Sequence, residues 1–238
     1  MKRYFLFLAA VLILPVGAKA CPVSVTITAT NEAGQSQVAT LGGETSLDAS
    51  TGNFVWTLGS EYTFKDDAAI ESLTLTSNGD PEVGIEFGVR AGSSTTTFSI
   101  LSDVISFDPL VNPTAYASAG VTLTDRTPTP GATITGLFDG KTHQARYNGS
   151  IVFANLVDGF SIGSGTLTAS EDKPLSGSQV ISGTLTSIES EFSFKLSARD
   201  SASGTSTFEI IPAVVPEPAT VGLLGLGTLS LLRRKRRA

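Results

Sequence analysis

Cysteine is nearly absent from this 238-residue chain, with Cys21 the single example. An intrachain disulfide is therefore excluded, and the folded chain must be held by its core or by ions. Histidine and tryptophan also occur once each, as His143 and Trp56. A lone histidine has no second histidine or nearby cysteine with which to share a transition metal, and Cys21 lies far from it in sequence. His143 therefore reads as a surface or turn residue. Positive charge is scarce in the body of the chain. Of the 16 Lys and Arg, three lie within the first 19 residues and five within the last six, leaving eight between them against 21 of the 22 acids. The central region is thus near −13, which argues against nucleic acid or anionic lipid as a partner and suits cations, neutral glycans and a hydrated matrix. No stretch of the central region carries a three-turn amphipathic helical pattern; at most, residues 66–69 form one turn.

Period-two alternation is what the central region does contain. Val23, Val25 and Ile27 alternate with Ser24, Thr26 and Thr28. Leu73 and Leu75, the set Val83, Ile85, Phe87 and Val89, the pair Phe98 and Ile100, the pair Val121 and Leu123, and the set Phe192, Phe194 and Leu196 repeat the pattern. Each run has one apolar and one polar face, as expected for antiparallel strands solvated on one side. Threonine on the polar face suits the pleat because it branches at Cβ. Gly, Asn, Asp and Pro punctuate the runs at sandwich-like spacing. The expectation is an all-β ectodomain, an antiparallel β-sandwich of jelly-roll-like or Ig-like type over residues 21–212. That length is ample for one core. Ser164-Gly165-Thr166-Leu167-Thr168 recurs as Ser182-Gly183-Thr184-Leu185-Thr186. Two copies do not make a solenoid, so the repeat reads as two neighbouring strands of similar composition. Residues 126–131, rich in Pro, read as a loop within one domain rather than a linker between two.

The two ends differ from the body. Met1-Lys2-Arg3 precedes an apolar run over residues 4–16, and Ala18 and Ala20 flank Lys19 as a small-x-small cleavage site. Residues 1–20 therefore read as a signal peptide, with Cys21 the first mature residue. Lys19 fits ordinary signal peptidase better than the small neutral residues that precede an acylated cysteine. At the other end, Val215-Pro216-Glu217-Pro218-Ala219-Thr220 leads into an uncharged apolar run. The run closes on Arg233, Arg234, Lys235, Arg236 and Arg237. Residues 219–232 would be ~21 Å long as a helix, short against a bilayer core of ~30 Å. Long Arg stems and local thinning cover part of that mismatch. Pro216 and Pro218 keep the helix from starting earlier, and the cationic cluster stays on the cytoplasmic side.

These three parts in this order resemble the PEP-CTERM sorting signal of bacterial surface proteins, a segment also catalogued as an ice-binding protein C-terminal domain. The resemblance covers residues 213–238, about a tenth of the chain. It implies export through the secretion translocon, anchoring through a transmembrane helix at about 219–232, and recognition by an exosortase-type enzyme near Val215, Pro216, Glu217 and Pro218. Release to the cell surface or extracellular matrix, often alongside exopolysaccharide, is implied to follow. It implies no activity for the ectodomain.

Candidate chemistry in the ectodomain is thin. Gly159-Phe160-Ser161-Ile162-Gly163 matches the nucleophile-elbow pattern, but that motif needs a helix after it and a histidine downstream. His143 lies upstream and the following residues read as strand, so Ser161 is not expected to be catalytic. Glu82 and Glu86 share a strand face about 13 Å apart, and Glu189 and Glu191 about 7 Å apart. The second pair is the better candidate for carboxylate-based glycoside hydrolysis. Asp66, Asp67, Asp80, Asp103, Asp108, Asp139 and Asp158 sit in or beside expected turns, but no EF-hand or Ca²⁺-repeat spacing joins them. Trp56 and Tyr62 are candidate sugar platforms, and more often such residues pack. Ice binding would need a regular Thr-x-Thr array at solenoid period, which Thr95-Thr96-Thr97 does not supply. The reading is a non-enzymatic surface or matrix protein with no cofactor and no metal site. A carbohydrate- or Ca²⁺-binding module is the alternative, with exopolysaccharide or Ca²⁺ as the partner.

Overall fold

A computed structural model describes residues 23–78, 81–127 and 131–213. The signal-peptide expectation, with Ala18, Ala20 and Cys21, and the transmembrane and sorting segment from Val215 onward lie outside the described residues, as does Asp80. Among the described residues there is no helix. The strands are β1 (Val23–Asn31), β2 (Ser36–Gly43), β3 (Ser46–Leu47), β4 (Phe54–Thr57), β5 (Tyr62–Thr63) and β6 (Ala69–Asn78). Next come β7 (Glu82–Arg90), β8 (Thr96–Ser102), β9 (Ile105–Val111), β10 (Thr114–Thr124), β11 (Ala132–Gly136) and β12 (Lys141–Tyr147). The last six are β13 (Ile151–Asp158), β14 (Phe160–Ile162), β15 (Thr166–Lys173), β16 (Gln179–Val180), β17 (Thr184–Leu196) and β18 (Ser201–Ile211).

They form two nine-stranded antiparallel sheets that face each other as a sandwich. Sheet A runs β13-β12-β17-β8-β1-β2, with β9, β11 and β14 attached around β17. Sheet B runs β15-β10-β18-β7-β6-β4-β3, with β16 beside β10 and β5 beside β6. Strand β17 is the spine of sheet A. Along one edge it pairs first with β9 and then with β8; along the other, first with β12 and then with β11. Strand β18 is the spine of sheet B, paired over its length with β10 and β7. The chain changes sheet repeatedly, so neither sheet closes without the other.

The apolar sets read from period two face inward. Val83, Ile85, Phe87 and Val89 are 0–3% exposed, and Phe192, Phe194 and Leu196 are fully buried. Phe87 of sheet B meets Phe192 and Phe194 of sheet A at centroid distances of 4.8 and 5.7 Å, and Phe98 meets Phe194 at 5.9 Å. Such packing adds about 0.5–1.5 kcal/mol per pair beyond area burial. Gly204, directly across from Phe87 in register, makes room for that ring. A Cβ there would lie 2.5 Å from Phe87 Cε1. Beside this cluster, Ala115, Ala117 and Ala119 of β10 present small inward side chains.

Two expectations are corrected. His143 is fully buried, on the inward face of β12 in register with Phe192. The repeated Ser-Gly-Thr-Leu-Thr segments do not open neighbouring strands. Thr166 starts β15 in sheet B and Thr184 starts β17 in sheet A. Their similarity reflects the common Gly-turn-then-strand grammar of both sheets.

Candidate functional site

Glu189 and Glu191 project from the outer face of β17, as the alternation implied, but Arg146 of β12 lies across them. Its Nε is 2.9 Å from Glu189 Oε1 and one terminal nitrogen is 3.0 Å from Glu191 Oε2. Ser99 Oγ donates to Glu191 at 2.8 Å, and Arg146 also donates to Gln144, which in turn donates to Asn155. The three charged side chains are only 11–19% exposed. A glycosidase acid or nucleophile must reach substrate. Here the carboxylates are occupied by an arginine fork and form a closed ion cluster. Nothing in the local sequence signals this, because Arg146 and Glu189 are brought together only by the β12–β17 register.

The remaining candidates disperse. Ser161 sits in β14, paired with Thr133 of β11, and its Oγ is 2.9 Å from Thr133 Oγ1. The segment after Gly163 enters strand β15, so the elbow's required helix is replaced by a strand. Trp56 packs against the core edge, and the Tyr62 ring, 37% exposed, meets Phe64 at 5.1 Å in an edge contact. Asp66 is bonded by Asn31, Asp103 by Ser24, and Asp158 by Lys141 at 3.2 Å. Asp108 lies within β9 rather than in a turn. Among the described residues, no group of three or more His, Cys, Asp or Glu is placed to hold a metal ion.

His143 belongs to a polar thread through the core. Its Nε2 is 2.8 Å from Ser190 Oγ, which is 3.2 Å from Ser206 Oγ on the opposite sheet. Its ring tilts against Phe192 at 4.7 Å, and Nδ1 has no hydrogen-bond partner. Burial lowers its pKa to about 3. A cationic ring would carry a second N–H with no acceptor, so this histidine is a neutral structural group.

A recess lies on the outer face of sheet B. Gly84 of β7 floors a trough of about 260 Å³ flanked by Thr76, Glu82, Glu86, Thr205 and Thr207. Its outline follows from register: Gly84 pairs with Thr76 on one side and Thr207 on the other. Glu82 is paired across the strands with Glu209, and its pKa is raised by burial and then by that neighbouring carboxylate. Hydroxyl ladders continue outward along the face. Thr122 meets Thr168 at 2.8 Å, and Thr124 meets Thr166 at 3.2 Å. Outer-face threonines thus pair across ordinary strands.

The chain leaves this framework at one end of the sandwich. Ile211 closes β18, and only Pro212 and Ala213 follow within the described residues. The next residues, 214–237, match the family model for the PEP-CTERM protein-sorting motif. This chain carries a PEP-CTERM sorting signal. The match spans Val215, Pro216, Glu217 and Pro218 and the basic residues Arg233, Arg234, Lys235, Arg236 and Arg237. PEP-CTERM signals mark exported proteins that are anchored in the membrane before processing by an exosortase-type enzyme and sorting to the surface. No curated protein matches the chain. Among solved structures, a similar chain is titled "Structure of infectious bursal disease virus Gx strain". It is 13% identical, with 94% of this chain and 71% of that chain covered, at a TM-score of 0.22.

Proposed function

We propose that this PEP-CTERM protein is an envelope or extracellular-matrix component whose β-sandwich is structural or adhesive and not enzymatic. The matched sorting signal carries the reading. The clamped state of Glu189 and Glu191 adds support, because the strongest carboxylate pair in the sequence is held in a structural ion cluster. In this reading residues 1–20 direct export, residues 219–232 hold the precursor in the membrane, and cleavage falls near Pro216-Glu217-Pro218. The test is localisation in the native host. Glu217→Ala, and separately removal of residues 233–237, should each prevent surface delivery; normal delivery of both variants would refute the sorting role.

The trough over Gly84 favours a second reading, a carbohydrate-binding module. A glycine floor with hydroxyl and carboxylate walls offers donors and acceptors to sugar hydroxyls, and the acidic domain favours a neutral glycan. Retention on a glycan array that is lost with Gly84→Val would support this reading. At 100 times Kd a bound glycan would stabilise the fold by ~2.7 kcal/mol, visible as a rise in melting temperature. Absence of retention across a broad array would remove it.

A further inference from the structure

The end of the sandwich from which the sorting signal emerges is rimmed with exposed apolar side chains. Thr114 opens β10 with Val180 of β16 opposite it on one side and Ile211 of β18 on the other. Cross-strand partners share a face, so Val180 and Ile211 point the same way about 10 Å apart. They are 58% and 40% exposed. Val111, 63% exposed, ends β9 on the opposite, outer face of sheet A, three residues before Thr114, where the chain crosses from sheet A to sheet B. That crossing is rigidly held: Asn112 N donates to Gly183 O, Gly183 N to Asn112 Oδ1, and Ile181 N to Pro113 O, each at 2.8 Å. Leu175, 88% exposed, lies in the loop that leads into β16.

The tether limits how far this end can stand from the membrane. Seven residues, 212–218, separate Ile211 from the apolar run beginning at Ala219. Fully extended they span at most about 28 Å. Strand β18 itself runs about 34 Å from Ser201 to Ile211, so with the Ile211 end docked the Ser201 end stands well clear of the surface. We propose that in the anchored precursor this end of the sandwich docks on the lipid surface through Leu175, Val180 and Ile211. The inference rests on the anchored-precursor reading above. Docking would hold the Pro216-Glu217-Pro218 box at the interface, where a membrane enzyme meets it. Glu209 and Glu82 lie side by side one outward position in from Ile211 and set the lipid class, since paired carboxylates favour a zwitterionic over an anionic surface.

The test uses the full-length chain, with Cys21→Ser, reconstituted in phosphatidylcholine vesicles containing a headgroup quencher. A fluorophore is placed through Gln179→Cys at this end, or through Ser93→Cys at the far end. The expected result is strong quenching at position 179 and little at 93. The contrast should persist when about twenty Gly/Ser residues are inserted after Ala213, a linker flexible enough to release a domain held only by proximity. It should disappear with the double variant Val180→Ser, Ile211→Ser. It should weaken in vesicles rich in phosphatidylglycerol. Equal quenching at the two positions, or a contrast lost on lengthening the linker, would overturn docking while leaving the anchor intact. A chain that fails to float with vesicles would overturn the anchor and the docking together.

Discussion

Acid should weaken this sandwich through His143 before its carboxylates titrate. The ring is fully buried, its Nδ1 has no acceptor, and its pKa falls from 6.5 to about 3 in the folded state. Above pH 6.5 the ring is neutral in both folded and unfolded chains, so it carries no pH-dependent penalty. Below 6.5 the unfolded chain takes up a proton that the folded chain refuses, and stability falls as pH falls. The slope is about 1.4 kcal/mol per pH unit, which gives about 2 kcal/mol between pH 7 and pH 5 and about 4 kcal/mol by pH 3, where the folded ring begins to take up its own proton. For a domain of this size, 2 kcal/mol is about 4–8 °C in melting temperature. Glu82 has the opposite sign. Its pKa is raised above 4.5, so the folded state gains a proton first and is stabilised as pH falls through that window. The assay therefore compares denaturant unfolding of the wild type and His143→Gln at pH 7, 6 and 5. Gln keeps a polar partner for Ser190 and cannot titrate. The wild type should lose about 2 kcal/mol more than the variant over that range. Parallel pH profiles would refute the assignment of a buried neutral imidazole.

Three further outcomes follow from the packing and the ion cluster. Arg146→Met should destabilise by about 3 kcal/mol in chemical denaturation, because it strands Glu189 and Glu191 with little solvent. Restoration by adding Glu189→Gln and Glu191→Gln would confirm that the loss is electrostatic. Gly204→Ala should cost about 1–3 kcal/mol by driving a methyl into the Phe87 ring, whereas Gly163→Ala, with open space around it, should be close to neutral. Asp125→Asn should lower melting temperature near neutral pH, because Asp125 accepts from the Thr127 and Gly131 backbone N–H groups across the β10–β11 connection. Those bonds depress its pKa, Gly131 most, so the difference from wild type should fade as pH drops below the usual carboxylate range.

Strands with a strict apolar face were legible because period two maps directly onto the pleat. Val83 to Val89 and Phe192 to Leu196 needed only their own neighbours to be read. Strand β12 was not legible in the same way. Thr142, His143, Ala145 and Arg146 carry no clear apolar alternation, and His143 is buried because Phe192, Ser190 and Ser206 arrive from strands distant in the chain. The alanines of β10 give a weak signal for the same reason, since a small side chain is inward only where a large ring opposes it. The sorting signal could be read from sequence because its chemistry is local and contiguous. The trough over Gly84 and the Arg146 clamp could not, since both are products of register between strands far apart in sequence. The repeated Ser-Gly-Thr-Leu-Thr segment misleads because it records turn chemistry, which is the same at the start of strands in either sheet.

We propose above that this chain is exported and then processed at its PEP-CTERM signal. The intact mass of the protein recovered from the surface fraction of its native host tests it most directly. The expected species begins at unmodified Cys21 and ends near Pro216-Glu217-Pro218. A surface species that retains Leu232 and the Arg233–Arg237 cluster would contradict it.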